Sequence, residues 1–158
     1  MEKLHSSGLV QHLRSWHNNK RPLLGICLGL QLLFERSDEG SAEGLGLFEG
    51  GVQRLPRQQG ERIPHMGWGQ LKPKQPCPML PEGNEQPWVY FVHSYAADPN
   101  QTSDLAATVT FGWGEATAMV WKNRTGACQF HPEKSAKAGA QLLKNWIGWL
   151  QSGAQLPQ

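Results

Sequence analysis

Two periods of apolar spacing divide the chain. Near the start, Leu9, Leu13 and Trp16 recur at helical spacing with His12, Arg14 and Ser15 facing elsewhere, which predicts an amphipathic helix. Asn18, Asn19 and Lys20 break it. Pro22 to Cys27 reads as a short buried strand, and Leu28 to Glu35 as a helix beginning immediately after it, with Leu28 and Leu32 on one face beside Leu33. Ser37 to Gly46 is polar and glycine-rich, hence a loop. Beyond it the period shortens to that of strands. Leu47 to Leu55 contains Gly50-Gly51, and Arg57 to Glu61 resembles a hairpin tip. Lys72 to Gln86 carries Pro73, Pro76, Pro78 and Pro81 and predicts an irregular surface connection. Trp88 to Val92 is the clearest strand; Ala106 to Phe111, Thr117 to Trp121 and Gly126 to Phe130 are three more, separated by turn residues such as Gly112 and Gly114. Ser135 to Leu150 closes as a helix expected to bury Leu142, Leu143, Trp146, Ile147 and Leu150. Helices at both ends with strands between predict an α/β layered domain over residues 1–150 and a tail over 151–158.

Composition narrows the function more than the fold. At 158 residues, 39% hydrophobic and 18% charged, the chain matches an ordinary globular domain. A formal net charge of +2 with no Lys/Arg run gives no nucleic-acid or membrane patch. The longest apolar stretch, Pro22 to Phe34, is too short to span a bilayer, and the N-terminus lacks the apolar core of a secretory signal. Three cysteines, Cys27, Cys77 and Cys128, do not make a disulfide framework; a reducing, cytoplasmic setting suits them. Each is then core filler, metal ligand or nucleophile.

Gly25-Ile26-Cys27-Leu28-Gly29 has the G-x-nucleophile-x-G form of a nucleophile elbow, with cysteine as the nucleophile. A sharp strand-to-helix turn strains the nucleophile's backbone, and flanking glycines remove Cβ atoms that would clash. The thiol then stands at a helix N-terminus, where the dipole favours thiolate, and the Leu28 amide points where an oxyanion would form. A buried cysteine in an ordinary strand-turn-helix is the alternative. His131-Pro132-Glu133 follows a later strand and could supply an imidazole with its carboxylate acceptor, because residues two apart on an extended segment face the same way. Cys128 and His131 have C-x-x-H spacing, but a zinc site needs four ligands and Cys77 lies in a distant proline-rich loop, so no metal is expected. Cys128 alternates with Phe130 and reads as core.

Residues 25–35, Gly-Ile-Cys-Leu-Gly-Leu-Gln-Leu-Leu-Phe-Glu, and Phe130-His-Pro-Glu133 resemble the class I (triad) glutamine amidotransferases. Pro64-His-Met-Gly-Trp68, Phe91-Val-His-Ser-Tyr95 and Gln129-Phe-His-Pro-Glu-Lys-Ser135 resemble the branch that serves as glutaminase subunit of imidazole glycerol phosphate synthase in histidine biosynthesis. The resemblance implies a layered domain with a central, mostly parallel sheet plus antiparallel strands. It implies that Cys27 attacks the carboxamide of glutamine, that His131 is base and then acid, and that Glu133 orients it, with no cofactor. Gly29, Gln31, Glu39, Ser94 and Tyr95 match substrate-binding positions, Glu39 being placed for the α-amino group and Leu28 for the oxyanion. From pattern alone, Gln31 and Glu39 would sit on a solvated helix face. Met66, Trp68 and Lys134 match a surface for a cyclase barrel subunit in a heterodimer; the alternative for Trp68 is packing within the domain.

Two departures from the family pattern stand out. Trp68 is followed by Gly69 where the family usually has Asn, a position expected to face the partner. Family members also begin with a strand-helix-strand unit ending in a Pro-Gly-rich loop, which does not precede Met1 here. That absence predicts an unpaired, apolar sheet edge and an oxyanion site with only the Leu28 amide. A poor glutaminase, or a fragment retaining only the partner surface, would be the outcome. A cysteine peptidase built on the same elbow is a third reading of the triad.

Overall fold

The computed structural model describes residues 1–58, 61–83 and 85–155. Two helices open the chain, α1 (Glu2–Ser6) and α2 (Leu9–Asn18), separated at Gly8, whose φ of 72° takes the left-handed turn between them. Val10 rather than Leu9 is the buried residue of α2; Leu9 is exposed and Leu13 and Trp16 are half-buried. Trp16 Nε1 donates to the Pro22 carbonyl (2.9 Å), and His17 Nδ1 meets Thr125 Oγ1 (2.7 Å), so α2 is tied both to the start of the next strand and to that strand's later neighbour.

That strand, β1 (Leu23–Ile26), leads directly into α3 (Leu28–Leu32). After β2 (Arg36–Ser37) come β3 (Gly50–Arg54), β4 (His65–Pro73), β5 (Trp88–His93), β6 (Tyr95–Pro99), β7 (Leu105–Phe111), β8 (Gly114–Lys122) and β9 (Thr125–Cys128). A 3₁₀ turn (Pro132–Lys134) then precedes α4 (Ala136–Gln151). Six strands form one sheet in the order β1-β9-β8-β7-β4-β5; β2, β3 and β6 form a second. The expected mixed α/β architecture is present, but its balance is reversed. In the large sheet only β1–β9 runs parallel. The physical reason is connection length: β7, β8 and β9 follow one another through two-residue turns, and short turns join only antiparallel neighbours.

Strand alternation gives the large sheet two buried faces. On β8, Met119 and Trp121 enter one cluster, with Phe91, Phe130 and Leu142, while Val120 enters the other, with Leu30, Phe34 and Val52. Helix α4 covers the first face, where Trp121, Trp146 and Trp149 meet with ring centroids 5.0–5.7 Å apart. The second sheet, α2 and α3 cover the other. Covering both faces is what makes β8 apolar on both sides.

Several expectations are corrected. Strand β1 is the sheet edge that was expected, but it is half-buried rather than buried, with Ile26 36% exposed. Helix α3 stops at Leu32 instead of Glu35, and its buried residue is Leu30, followed by Leu33 and Phe34 beyond its end; Leu28 is exposed and Leu32 half-buried. Part of the polar loop from Ser37 pairs as β2. The strands flanking the supposed hairpin at Arg57–Glu61 lie in different sheets, and residues 59 and 60 fall outside the described residues. The proline-rich connection is irregular as expected, yet it is not merely surface, because Cys77, Met79 and Leu80 are buried against α4 and the sheet; residue 84 is outside the described residues. In α4, Leu142 and Trp146 are buried and Leu143 partly so, whereas Ile147 and Leu150 are exposed. The helix lies on the sheet along one narrow stripe. Of the tail, residues 156–158 are outside the described residues.

Gly69 faces inward, against expectation. On β4, Met66, Trp68 and Gln70 are exposed, and alternation sends position 69 to the opposite face, where a Cβ would lie 2.5 Å from Val109 and 3.0 Å from the Phe91 ring. Gly69→Asn is therefore expected to destabilise the fold by about 1–3 kcal/mol through overpacking and a buried amide. Urea unfolding of the two proteins measures it; an unshifted midpoint would show that the core yields there without cost.

Candidate active site

Cys27 sits at the junction of β1 and α3 with φ 52° and ψ −107°, a strained conformation for a residue with a side chain. Its own backbone holds it there. The Cys27 N–H donates to the Cys128 carbonyl (2.8 Å), extending the β1–β9 ladder, while its carbonyl accepts from the N–H groups of Leu30 (3.0 Å) and Gln31 (3.3 Å). A Cβ at Gly25 would lie 2.8 Å from the Gly29 carbonyl, so the bare glycine lets the turn close. The same reason does not apply to Gly29, where a Cβ would meet nothing within 4 Å. What Gly29 supplies is open space one residue beyond Leu28.

The thiol is half-buried, and burial pushes its pKa up. The Leu28 N–H and the Gln129 side-chain amide, 3.7 Å from the sulfur, oppose that rise; the Glu133 carboxylate adds to it and the Lys134 ammonium counters it. The expected thiolate is thus corrected to a resting thiol. A helix of five residues has little macrodipole to set against desolvation.

His131 reaches the same end of the sheet from β9. Its N–H donates to the Tyr90 carbonyl (2.9 Å), and the fully buried Ser135 hydroxyl donates to the His131 carbonyl (2.7 Å) while accepting from the Tyr90 N–H (2.9 Å). The imidazole Nδ1 lies 2.7 Å from Glu133 Oε1. Burial alone would raise the Glu133 carboxyl, but the bond from His131 holds it below the usual range. With Nδ1–H donating to Glu133, Nε2 is left as the lone-pair nitrogen. The pair meets across a 3₁₀ turn, not along an extended strand as the spacing suggested, because Pro132 starts a turn straight after His131. Among the described residues no hydrogen bond joins Cys27 to His131.

The other expected residues divide into three groups. Leu28, Gln31 and Glu39 line one cleft of about 200 Å³, together with Arg36, Ser37 and Gly40. Glu39 is exposed in a turn, not on a helix, with its N–H bonded to Ser37 Oγ (3.2 Å). Ser94 and Tyr95 are not part of that lining, and their carbonyls are engaged within the chain: Ser94 by the Leu55 N–H (2.9 Å), Tyr95 by Gln31 and His93. Met66 and Trp68 are 62% and 51% exposed, so Trp68 does not pack inside the domain. Trp68 pairs with Tyr90 across β4–β5 with ring centroids 6.0 Å apart, and Tyr90 in turn holds His131, which brings exposed Lys134 to the same margin. Trp88, 55% exposed, extends this apolar face.

Gln129, Ser135 and Tyr90 are the residues that spacing missed. The signal for Gln129 was present: one amide interrupting the apolar run from Gly126 to Phe130. Cys77 and Cys128 are buried, Cys128 with its sulfur toward the Phe130 carbonyl. Among the described residues no cluster of three or more His, Cys, Asp or Glu is placed to hold a metal ion, and no helix is long and apolar enough to cross a membrane.

The family model for glutamine amidotransferase class-I matches residues 3–148. The chain is 61% identical over 155 residues to imidazole glycerol phosphate synthase subunit HisH of Synechococcus sp. (strain CC9902), covering 98% of this chain and 73% of that protein. Subunit HisH 2 of Prochlorococcus marinus (strain MIT 9313) is likewise 61% identical with the same coverage. Among solved structures, a glutamine amidotransferase superposes with a TM-score of 0.65 at 17% identity, covering 91% of this chain and 71% of that one. A putative GMP synthase component from Thermoplasma acidophilum gives 0.61 at 19%, covering 92% and 65%. These distant likenesses carry the fold alone.

The raised Cys27 pKa has a direct consequence. Thiolate forms only as pH rises through that value, so iodoacetamide labelling of Cys27 should climb to a midpoint above the ordinary thiol value of about 8.5. Cys77 and Cys128 should stay unlabelled in the folded protein, since burial pushes both thiols up as well. Peptide mapping across a pH series tests both statements, and a midpoint below about 7 would contradict the first.

Proposed function

The chain belongs to the class-I glutamine amidotransferase family, and on that premise we propose that it hydrolyses glutamine to glutamate and ammonia with Cys27, His131 and Glu133. The observation that carries this reading is the β1–β9 pairing, which sets the Cys27 elbow against Cys128, three residues before the His131–Glu133 pair. His131 Nε2 takes the Cys27 proton as sulfur attacks the carboxamide carbon, and the oxyanion forms against the Leu28 N–H. Collapse breaks the C–N bond, His131 returns its proton to the leaving nitrogen, and ammonia departs. Water, deprotonated by His131, then cleaves the glutamyl thioester to glutamate and restores the thiol. Because the resting thiol is neutral, the base must act during attack rather than after it. Gln31 and Glu39, with Gly29, would receive the substrate in their cleft, Glu39 accepting from its α-ammonium; Ser94 and Tyr95 would add contacts through groups other than their engaged carbonyls.

The identity to the HisH subunits supports a role in histidine biosynthesis, in the cytoplasm, as one subunit of a heterodimer. The ammonia would pass to a cyclase barrel subunit that makes imidazole glycerol phosphate and an aminoimidazole carboxamide ribotide. The exposed face of Met66 and Trp68, bordered by Lys134, suits that partner, because exposed aromatic residues and Met are enriched at interface cores.

Glutamate release tests the reaction, measured in the presence and absence of the cyclase and beside a peptide-cleavage screen. Cys27→Ala should reduce it to background, and His131→Asn should lower kcat by about 10²–10⁴. Peptide cleavage without glutamate release would replace the reading with a peptidase. Trp68→Ala should weaken cyclase binding by about 2 kcal/mol, roughly thirtyfold in Kd, without unfolding the domain. Titration calorimetry measures that change, and an unaltered Kd would move the interface elsewhere.

A further inference from the structure

Gln129 is fully buried, although its side chain has no part in the chemistry just described. Its Nε2 donates to the Cys27 sulfur (3.7 Å), and its Oε1 accepts from Gln31 Nε2 (3.1 Å). Gln31 Nε2 also donates to the Tyr95 carbonyl (3.2 Å), as does His93 Nδ1 (2.8 Å). His93 Nε2 in turn lies 3.1 Å from His65 Nδ1. These contacts form one unbroken chain from β4, across β5 and the start of β6, to the nucleophile.

The direction of every bond in the chain follows from one atom. A backbone carbonyl only accepts, so Gln31 must turn its nitrogen to Tyr95. That nitrogen then faces Gln129, which must present its oxygen there and its nitrogen to the sulfur. On the other side, His93 must carry its proton on Nδ1, which leaves Nε2 as an acceptor and makes His65 Nδ1 the donor. Both rings are held neutral. Burial presses His93 down to about 4, against the opposing Tyr95 bond, and burial lowers His65 also. Stacking of His65 on Phe91, with centroids 5.0 Å apart, and its contact with Phe111 at 5.3 Å fix the far end.

We propose that Gln129 is a positioning residue that holds the Cys27 sulfur as a hydrogen-bond donor, and that its amide is locked in the donating orientation by the relay Gln31–Tyr95 carbonyl–His93–His65. The relay compensates part of the desolvation that the elbow imposes on the thiol, and it prevents the amide flip that would turn an oxygen toward a developing thiolate. It rests on the glutaminase reading only for its effect on turnover. Its effect on the thiol stands independently.

The test reads iodoacetamide labelling of Cys27 against pH, and separately kcat and KM for glutamine with the cyclase present. Gln129→Met, close in shape but without a donor, should move the labelling midpoint up by about one pH unit and lower kcat about tenfold, with KM within about twofold. Gln129→Glu, which aims an oxygen at the sulfur, should move it further. His65→Phe keeps the ring stack and removes the distal donor; a smaller shift in the same direction is expected. An unchanged midpoint in both Gln129 variants overturns the proposal, and an unchanged midpoint in His65→Phe removes the relay beyond Tyr95. If the Gln129 variants fail to fold, Gln31→Met, at a half-buried position, should move the labelling midpoint up in the same direction, and only that midpoint is read for it because Gln31 also lines the substrate cleft. Should the unmodified protein release no glutamate while the midpoints move as stated, the catalytic reading fails and the positioning role stands.

Discussion

Four residues of parallel pairing, Leu23–Ile26 against Thr125–Cys128, join two segments of the chain about a hundred positions apart. The nucleophile candidate ends one strand and the base candidate follows the other. A parallel pair cannot be closed by a tight turn, so everything between must fold back to bring the second strand into place. The intervening strands of the large sheet do so as antiparallel neighbours, and the two clusters on either face of β8 keep the long closure from being lost to chain entropy. The thiol and the imidazole are thus local to each other only in the finished fold.

The electrostatics of the site follow from the same closeness. Pressing Cys27 into the end of the sheet desolvates it, and a glutamate two residues beyond the imidazole adds a repulsive charge. Against these stand only neutral donors and one exposed lysine. The site therefore stores a thiol and relies on a base, in contrast to cysteine sites where a long helix or a cationic neighbour makes the thiolate permanent. Such a store is less exposed to adventitious oxidation at neutral pH, because the thiolate is the reactive form.

Much of this was legible in the chain. The elbow pentapeptide and the strand beginning at Trp88 each carry a local reason for their shape and lie where their pattern placed them, whereas His131-Pro132-Glu133 was read as extended and is a 3₁₀ turn. Two kinds of feature were hidden. Sheet order is non-local: alternation tells which residues of β4 face inward but not that β3 leaves for another sheet, so the hairpin near Arg57 was misread. Burial along an apolar helix is equally non-local, which is why Ile147 and Leu150 were expected inside and lie outside. Gln129 and Ser135 are polar residues whose roles exist only because β9, β5 and the elbow converge. Nothing in their neighbours along the chain identifies what they bond.

Between His93 and Tyr95 the chain passes from the large sheet to the small one through a single residue, Ser94. His93 presents its ring and Tyr95 its carbonyl to the same hydrogen bond across that joint. Alternation makes the joint sensitive to count rather than to composition. One residue more or fewer would send every later side chain of β6 to the opposite face, pulling Ala97 out of the core and the Tyr95 carbonyl away from Gln31. Insertions and deletions drift freely through the surface turns of such a domain. At this joint the length of the chain is itself what the fold demands, and a substitution there is easier to accommodate than a change of register.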